Sequence, residues 1–167
     1  IRQGRPGSGK SSALFHLKKG ETLITPNPGG KGFFVESLAH AGSKLNVWEI
    51  HSDTVRYRCL ATAKALCFVL DSLDDPAGKQ KAKVTLHATM SALASQRPRM
   101  CFTVLIFANK QDLAGALAPA KLERELEIRS RPDSATWRWA VQGCSATRGT
   151  GLNEGMDWVA ASIRSKN

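Results

Sequence analysis

The sequence lacks several patterns that would place it in a specialised class of protein. Its four cysteines, Cys59, Cys67, Cys101 and Cys144, include no C-x-x-C pair, so neither zinc spacing nor a disulfide framework is indicated. No hydrophobic run approaches the roughly 20 residues that cross a membrane. Repeats and low-complexity linkers are also absent. We therefore expect one globular domain over residues 1–167, with reduced thiols, in a reducing compartment.

Acidic residues are scarce relative to basic ones. The 24 Lys and Arg against 14 Asp and Glu give a formal net charge of +10. This balance favours an acidic partner, which could be an anionic membrane surface, an acidic protein surface or RNA. The basic residues are dispersed, and Phe and Tyr are not interleaved with arginines. We therefore expect no direct nucleic-acid binding.

A complete phosphate-binding motif lies at the N-terminal end of the chain. The segment Gly4-Arg5-Pro6-Gly7-Ser8-Gly9-Lys10-Ser11 has the pattern G-x-x-x-x-G-K-S. In such a loop, backbone N–H groups curve around the phosphates, Lys10 would reach the β and γ oxygens, and Ser11 would ligate Mg²⁺. The plain alternative is a Gly-Ser turn that caps a helix. The predicted phosphate contacts are Gly4, Gly7, Ser8, Gly9, Lys10, Ser11 and Ser12.

A second motif, Asn109-Lys110-Gln111-Asp112, follows an apolar run. The Asp112 carboxylate can accept both the N1–H and the exocyclic amine of guanine, a donor pair that adenine does not present. Asn109 and Lys110 would brace the pocket, and the Lys110 stem would cover a face of the base. Alone, the segment could equally be a solvated turn. Paired with the phosphate loop, it predicts a site for GTP or GDP with Mg²⁺.

The hydrophobic pattern alternates between strands and helices. Continuous apolar runs over residues 65–70 and 101–107 are typical of strands buried on both faces of a parallel sheet. Segments 33–39 and 44–50 predict a hairpin, and 139–144 a last strand. Helical spacing is found over 11–19, 79–95, 118–127 and 152–163. The predicted fold is therefore an α/β P-loop NTPase with a doubly wound, mostly parallel sheet that has one antiparallel hairpin strand.

The start of the sequence is short for this fold. Only Ile1, Arg2 and Gln3 precede the phosphate loop, where a strand of about five residues is expected. We therefore expect the first strand to be truncated or absent. Any signal, transit segment or acylated N-terminus would precede Ile1, which is not a methionine.

These residues resemble the ADP-ribosylation-factor family of small GTPases, Arf and Arf-like, over nearly the whole chain. The similar segments are 107–113 (FANKQDL), 151–159 (GLNEGMDWV), 68–72 (FVLDS) and 32–36 (GFFVE). The resemblance implies small-GTPase topology and a guanine-nucleotide switch in membrane or protein traffic. It also implies that Ser145, Ala146 and Thr147 form a second base loop, in which a backbone N–H reaches the guanine O6.

The second switch departs from the family's Trp-Asp-x-Gly-Gly-Gln pattern, because this chain has Trp48-Glu49-Ile50-His51-Ser52-Asp53. Glu49 would reach the Mg²⁺ shell through a water. Asp53 takes the position of the water-orienting glutamine and adds negative charge without an amide donor. His51 is a candidate substitute for positioning water, the alternative being a loop histidine with no catalytic role. No residue is assigned as catalytic, and slow or deficient hydrolysis is expected.

The first switch is also altered. The family's Pro-Thr pair, whose threonine binds Mg²⁺, corresponds to Pro26-Asn27-Pro28-Gly29-Gly30. Gapless alignment back from Phe33 places Gly30 at the threonine, and Thr25 is the alternative Mg²⁺ ligand. In relatives, the switches and the hairpin bind effectors, and Phe33, Trp48 and Tyr57 would form the equivalent surface here. The carboxylates Asp71, Asp74 and Asp75 are expected to cap the helix near Pro76.

Three functions are consistent with these features. The first is an Arf-like guanine-nucleotide-binding switch, cytoplasmic or peripheral to a membrane. The second is a pseudo-GTPase that serves as a structural subunit of a larger assembly, in the cytoplasm or in a mitochondrial or other organellar matrix. The third, an ATP-using kinase, is disfavoured because Asp112 rejects adenine and no lid of clustered arginines is found.

Overall fold

A single six-stranded sheet organises the chain. The computed structural model describes residues 2–18, 33–40, 42–50, 62–96 and 101–164. The strands are β1 (Arg2–Gln3), β2 (Phe33–His40), β3 (Ser43–Ile50), β4 (Ala65–Asp71), β5 (Phe102–Asn109) and β6 (Trp137–Gly143). The helices are α1 (Lys10–Leu17), α2 (Pro76–Gln96), α3 (Pro119–Leu126) and α4 (Leu152–Arg164), with 3-10 turns at Ile128–Ser130 and Ser134–Thr136.

The strand order is β2-β3-β1-β4-β5-β6, in which β2 and β3 are antiparallel and every other pair is parallel. The predicted α/β fold with one antiparallel hairpin strand is therefore confirmed. Two residues of β1 lie at the centre of the sheet, where Arg2 pairs with Glu49 on one side and with Cys67 on the other.

The core lies on both faces of the sheet because successive strand residues point to opposite sides. Phe68 and Ile106 pack with α2 and α3, whereas Val69 and Phe107 pack with α1 and α4. All eight residues of β5 are buried, as its continuous apolar run predicted. Helices on both faces therefore hold the sheet in place. Among the described residues, no helix is long and apolar enough to span a membrane.

The parallel strands place four loop segments at one edge. Strands β1, β4, β5 and β6 end at Gln3, Asp71, Asn109 and Gly143, and the phosphate loop, the 71–75 turn, the 109–112 motif and the 144–148 loop follow directly. Carboxyl ends of parallel strands meet at the same edge, which is where open α/β sheets bind ligands. Segments far apart in sequence are thereby brought together.

Gly155 shows how tightly α4 packs on this sheet. A Cβ at this buried position would lie 2.5 Å from Phe107 Cε1, 2.8 Å from its Cζ and 3.1 Å from Leu105 Cδ2. We expect Gly155→Ala to lower the free energy of unfolding by about 1–3 kcal/mol, the usual range for overpacking a core. Urea denaturation measures this change. Ala161→Gly at an exposed site of the same helix is the control for helix propensity, which alone makes alanine more favourable by about 1 kcal/mol. Stabilisation by Gly155→Ala would contradict the packing described.

Candidate nucleotide-binding site

The phosphate loop follows β1 and leads into α1. Gly9 caps α1 in the left-handed region, with φ 90°, and Gly4 and Gly7 also have positive φ angles of 152° and 78°. A Cβ at Gly9 would collide with the Asn109 amide, and one at Gly4 with the Val69 carbonyl. A Cβ at Gly7 would meet nothing within 4 Å. The loop therefore packs closely on its inner side and is open on the side of Gly7.

Lys10 is the first residue of α1, and its ammonium folds back over the loop. Its Nζ donates a hydrogen bond of 2.6 Å to the Arg5 carbonyl oxygen. Ser11 and Ser12 follow in the first helical turn and are exposed. The start of α1 thus presents backbone N–H groups, an ammonium and hydroxyls on one side of an open loop, a donor set suited to phosphate.

The buried amide of Asn109 joins three segments. Its Nδ2 donates to the Ser8 carbonyl oxygen at 2.7 Å, and its Oδ1 accepts the Ala146 N–H at 2.8 Å. The Cys144 thiol also approaches this Oδ1 at 3.6 Å. The phosphate loop, the 109–112 motif and the 144–148 loop are therefore held together through one side chain that is 2% exposed.

Lys110 adopts the left-handed conformation, with φ 71°, directly after β5. Such a backbone is uncommon for a residue other than glycine and is found disproportionately at functional sites. The Lys110 ammonium forms an ion pair with Asp71 at the end of β4. Next to it, Gln111 Nε2 donates to Ser72 Oγ and to the Leu117 carbonyl oxygen, at 2.8 and 2.9 Å. The 109–112 motif is thereby tied to the 71–75 turn.

The Asp112 carboxylate lies at the rim of the site, with its side chain 13% exposed. Thr147 Oγ1 donates to it at 3.2 Å, and Arg148 Nε is 3.9 Å away. Hydrogen bonding from Ser145, followed by that from its own backbone and from Thr147, holds the pKa of Asp112 below its ordinary value of 3.8. The carboxylate is therefore ionised at neutral pH, as an acceptor of two donors must be.

The described cysteines Cys67, Cys101 and Cys144 form no disulfide. Burial, and then the charge of Asp112, raises the pKa of the Cys144 thiol to about 12. Cys144 therefore stays protonated and contributes to the core behind the loops, whereas Cys101 is exposed.

The carboxylates of residues 71–75 do not all cap α2. Asp75 does, since its Oδ1 accepts the Gly78 N–H at 2.6 Å. Asp71 instead holds Lys110, and Asp74 forms a 2.9 Å ion pair with Arg5. The expectation that all three cap the helix is wrong for Asp71 and Asp74. Their partners lie on other segments of the chain, and no local spacing in the sequence indicates such contacts.

Several predicted site residues lie outside the described residues, namely Thr25, His51, Asp53 and Tyr57. For Glu49, Phe33 and Trp48 the structure describes the backbone, which pairs in the β2–β3 hairpin. Glu49 pairs with Phe34 and Arg2, next to the start of the phosphate loop. Within the described ranges, no group of three or more His, Cys, Asp or Glu side chains could hold a metal ion. The roles of these residues, and the nucleotide contacts assigned to the loops, stay predictions.

Removal of the Asn109 amide is expected to loosen the site. Asn109→Ala leaves the Ser8 carbonyl and the Ala146 N–H without their partner, and each orphaned buried group costs about 1–3 kcal/mol. We expect the free energy of unfolding to fall by about 2–4 kcal/mol in urea denaturation. Asn46→Ala is the matched control, because this amide is exposed and accepts a hydrogen bond from Ser37 Oγ at 3.0 Å, so its change should be within about 0.5 kcal/mol. Equal effects of the two variants would contradict the bridging role of Asn109.

Comparison with known proteins places the chain among small GTPases. A sequence model of the ADP-ribosylation factor family matches residues 3–163. ADP-ribosylation factor-like protein 1 of Saccharomyces cerevisiae is 35% identical over 165 residues, which cover 96% of this chain and 85% of that protein. ADP-ribosylation factor-like protein 3 of Chlamydomonas reinhardtii is 32% identical, covering 96% and 88%.

A solved structure confirms the fold independently. The Arl6 BBS3 small GTPase from Trypanosoma brucei, with bound nucleotide analogue GppNp, superposes with a TM-score of 0.76 over 100% of this chain and 99% of that one, at 20% identity. The resemblance drawn from the sequence is thus confirmed, and this chain belongs to the ADP-ribosylation factor family of small GTPases.

Proposed function

We propose that this protein binds GTP and GDP with Mg²⁺ and acts as an Arf-like binding switch in membrane or protein traffic, with slow or deficient hydrolysis. The observation that carries the proposal is the Asn109 amide, which joins the phosphate loop to both predicted base segments at 2.7 and 2.8 Å. A site whose phosphate and base elements are braced together in this way suits one ligand that has both parts.

The phosphate end of the ligand would lie against residues 4–12. The open side of the loop at Gly7, the N-terminus of α1 and the Lys10 ammonium supply positive potential and hydrogen-bond donors. When bound, Mg²⁺ would neutralise phosphate charge and be ligated by Ser11, while Thr25 and a water held by Glu49 are the further ligands proposed from the sequence.

The base end would lie between Asp112 and the 144–148 loop. The ionised carboxylate would accept both guanine donors, and Thr147 and Arg148 keep it oriented. The ion pair between Lys110 and Asp71 supports a position of the lysine stem beside the proposed base pocket. In adenine, N1 is an acceptor, so the Asp112 carboxylate would face an acceptor instead of the guanine N1–H. This difference supports a preference for guanine.

Deficient hydrolysis is proposed from the sequence of the second switch. Asp53 replaces the residue that orients the attacking water, and a carboxylate there repels the phosphate charge. Effector or assembly partners would contact the switches and the β2–β3 hairpin, and the net charge of +10 supports an acidic protein or membrane surface as a further contact.

A second candidate is a pseudo-GTPase that serves as a structural subunit. Contacts within the protein favour it, because Lys10, Asn109 and Lys110 all have partners in the chain itself. Loops held together by contacts within the protein would keep their shape without any exchange of nucleotide. Its nucleotide would be locked in place or absent, whereas a switch requires different partner affinities for the triphosphate and diphosphate forms.

Identification of the bound nucleotide tests the proposal directly. The purified protein is denatured in acid, and the nucleotide released is identified and quantified by chromatography and mass spectrometry. We expect close to one guanine nucleotide per protein, and GTP rather than GDP if hydrolysis is stalled. Lys10→Ala should abolish binding, while Lys18→Ala, at the other end of α1, is the matched control and should retain it.

Two outcomes would contradict this proposal. Absence of nucleotide together with no uptake of added GTP would favour the structural subunit. Unchanged nucleotide affinity in Lys10→Ala would contradict the assignment of the site itself.

Base choice is expected to depend on the Asp112 carboxylate. Asp112→Asn replaces an acceptor pair by a mixed donor and acceptor, so GDP affinity should fall about 10²- to 10³-fold while xanthine nucleotides gain, because hydrogen bonds to charged groups contribute about 1.5–3 kcal/mol each. Competition binding with GDP and XDP measures the change. Asp157→Asn, on the exposed side of α4, is the matched control. Retained guanine preference in Asp112→Asn would remove Asp112 from its proposed role.

A further inference from the structure

Arg5 contacts the rest of the protein through its side chain as well as its backbone. Its carbonyl oxygen accepts Lys10 Nζ at 2.6 Å and the Ser8 N–H at 3.3 Å, so its backbone helps to shape the phosphate loop. Its guanidinium leaves the loop and forms a 2.9 Å ion pair with Asp74 in the turn after β4. One residue thus connects the loop to a separate strand end.

The guanidinium occupies a niche that exists because residue 78 is glycine. A Cβ on Gly78 would collide with Arg5 Nη1 and would lie 2.9 Å from Asp75 Oδ1 and 3.0 Å from Asp74 Cγ. Gly78 is buried in the first turn of α2, where alanine would have the better helix propensity. The conformation of this helical residue does not require glycine, and the space that a Cβ would need is occupied by the Arg5 guanidinium, which would have to shift.

The same turn also holds the base-binding motif. We call residues 71–75 the acidic turn. Asp71 forms the ion pair with Lys110, Asp74 the ion pair with Arg5, and the Asp75 cap fixes the turn to α2. The acidic turn therefore connects the phosphate loop and the 109–112 motif by a route that does not include Asn109.

We propose that Arg5 is a positioning residue that fastens the phosphate loop to the acidic turn, so that the phosphate-binding and base-binding segments retain the nucleotide as one unit. The inference rests on the proposed function. Arg5 acts through the loop and does not touch the ligand, so its loss should speed nucleotide release. The pair is partly exposed, with the Arg5 side chain 34% and the Asp74 side chain 19% exposed, and the guanidinium lies against the buried Gly78, so its contribution is expected to be modest.

Dissociation of a fluorescent GDP analogue from the full chain tests this role. We expect Arg5→Ala and Asp74→Asn each to raise the release rate about fivefold, with the double variant releasing no faster than either single one, because both changes remove the same contact. Arg5→Lys, which keeps the charge, should recover part of the loss. Arg129→Ala is the matched control, since it removes another 2.9 Å arginine–carboxylate pair, with Glu123, outside the nucleotide site.

Gly78→Ala provides a test that leaves both partners of the ion pair intact. Its methyl group would displace the guanidinium, so the release rate should rise as in Arg5→Ala. Added to Arg5→Ala, the same change should have no further effect on release. If the two increases in release rate multiplied in the Gly78→Ala, Arg5→Ala double variant, the role of Gly78 in making room for the guanidinium would be wrong. Wild-type release rates in Arg5→Ala would overturn the proposal.

Hydrogen exchange separates this inference from the proposed function. In the nucleotide-free protein, amides of residues 4–10 should exchange faster in Arg5→Ala than in wild type, and those of α3 should not change. A wild-type chain that binds no guanine nucleotide overturns the proposed function and the role in retention together. A wild-type chain that binds nucleotide, with unchanged exchange and release in Arg5→Ala, overturns the role of Arg5 alone.

Discussion

The two hydrogen bonds of the buried Asn109 amide are the constraint on which the candidate site depends. One reaches the Ser8 carbonyl at 2.7 Å and the other the Ala146 N–H at 2.8 Å. A buried polar group without a partner is costly, so the three loop segments are held at the separation that satisfies this amide. The close approach also explains Gly9, where any Cβ would collide with Asn109.

The sheet makes that contact available. β5 is buried along its whole length between two apolar layers, so its last residue emerges at a fixed place beside the carboxyl ends of β4 and β6. β1 pairs with β3 on one side and β4 on the other, so the phosphate loop that follows it starts at the centre of this edge. Rigidity in the strands thereby supports loops whose own conformations include residues in the left-handed region, as at Lys110.

Charge pairing adds a second layer to the site. In a chain with a net charge of +10, cations gathered around a phosphate site would repel one another unless acidic groups lay nearby. The acidic turn offsets this locally, because Asp71 and Asp74 neutralise Lys110 and Arg5 and fix their stems. The Lys10 ammonium also donates to the Arg5 carbonyl oxygen, within the phosphate loop itself.

The sequence by itself determined the fold class, the two nucleotide motifs and the strands and helices that carry them. These features follow from local periodicity and from residue types that a turn or a phosphate demands, as in Gly4 to Ser11 and in the apolar run that becomes β5. The tertiary structure alone decided which side chains meet. Asp71 and Asp74 pair with Lys110 and Arg5 rather than capping α2, and Asn109 bridges Ser8 and Ala146. These contacts join residues tens of positions apart, and only the register and burial of parallel strands bring such residues within hydrogen-bond distance.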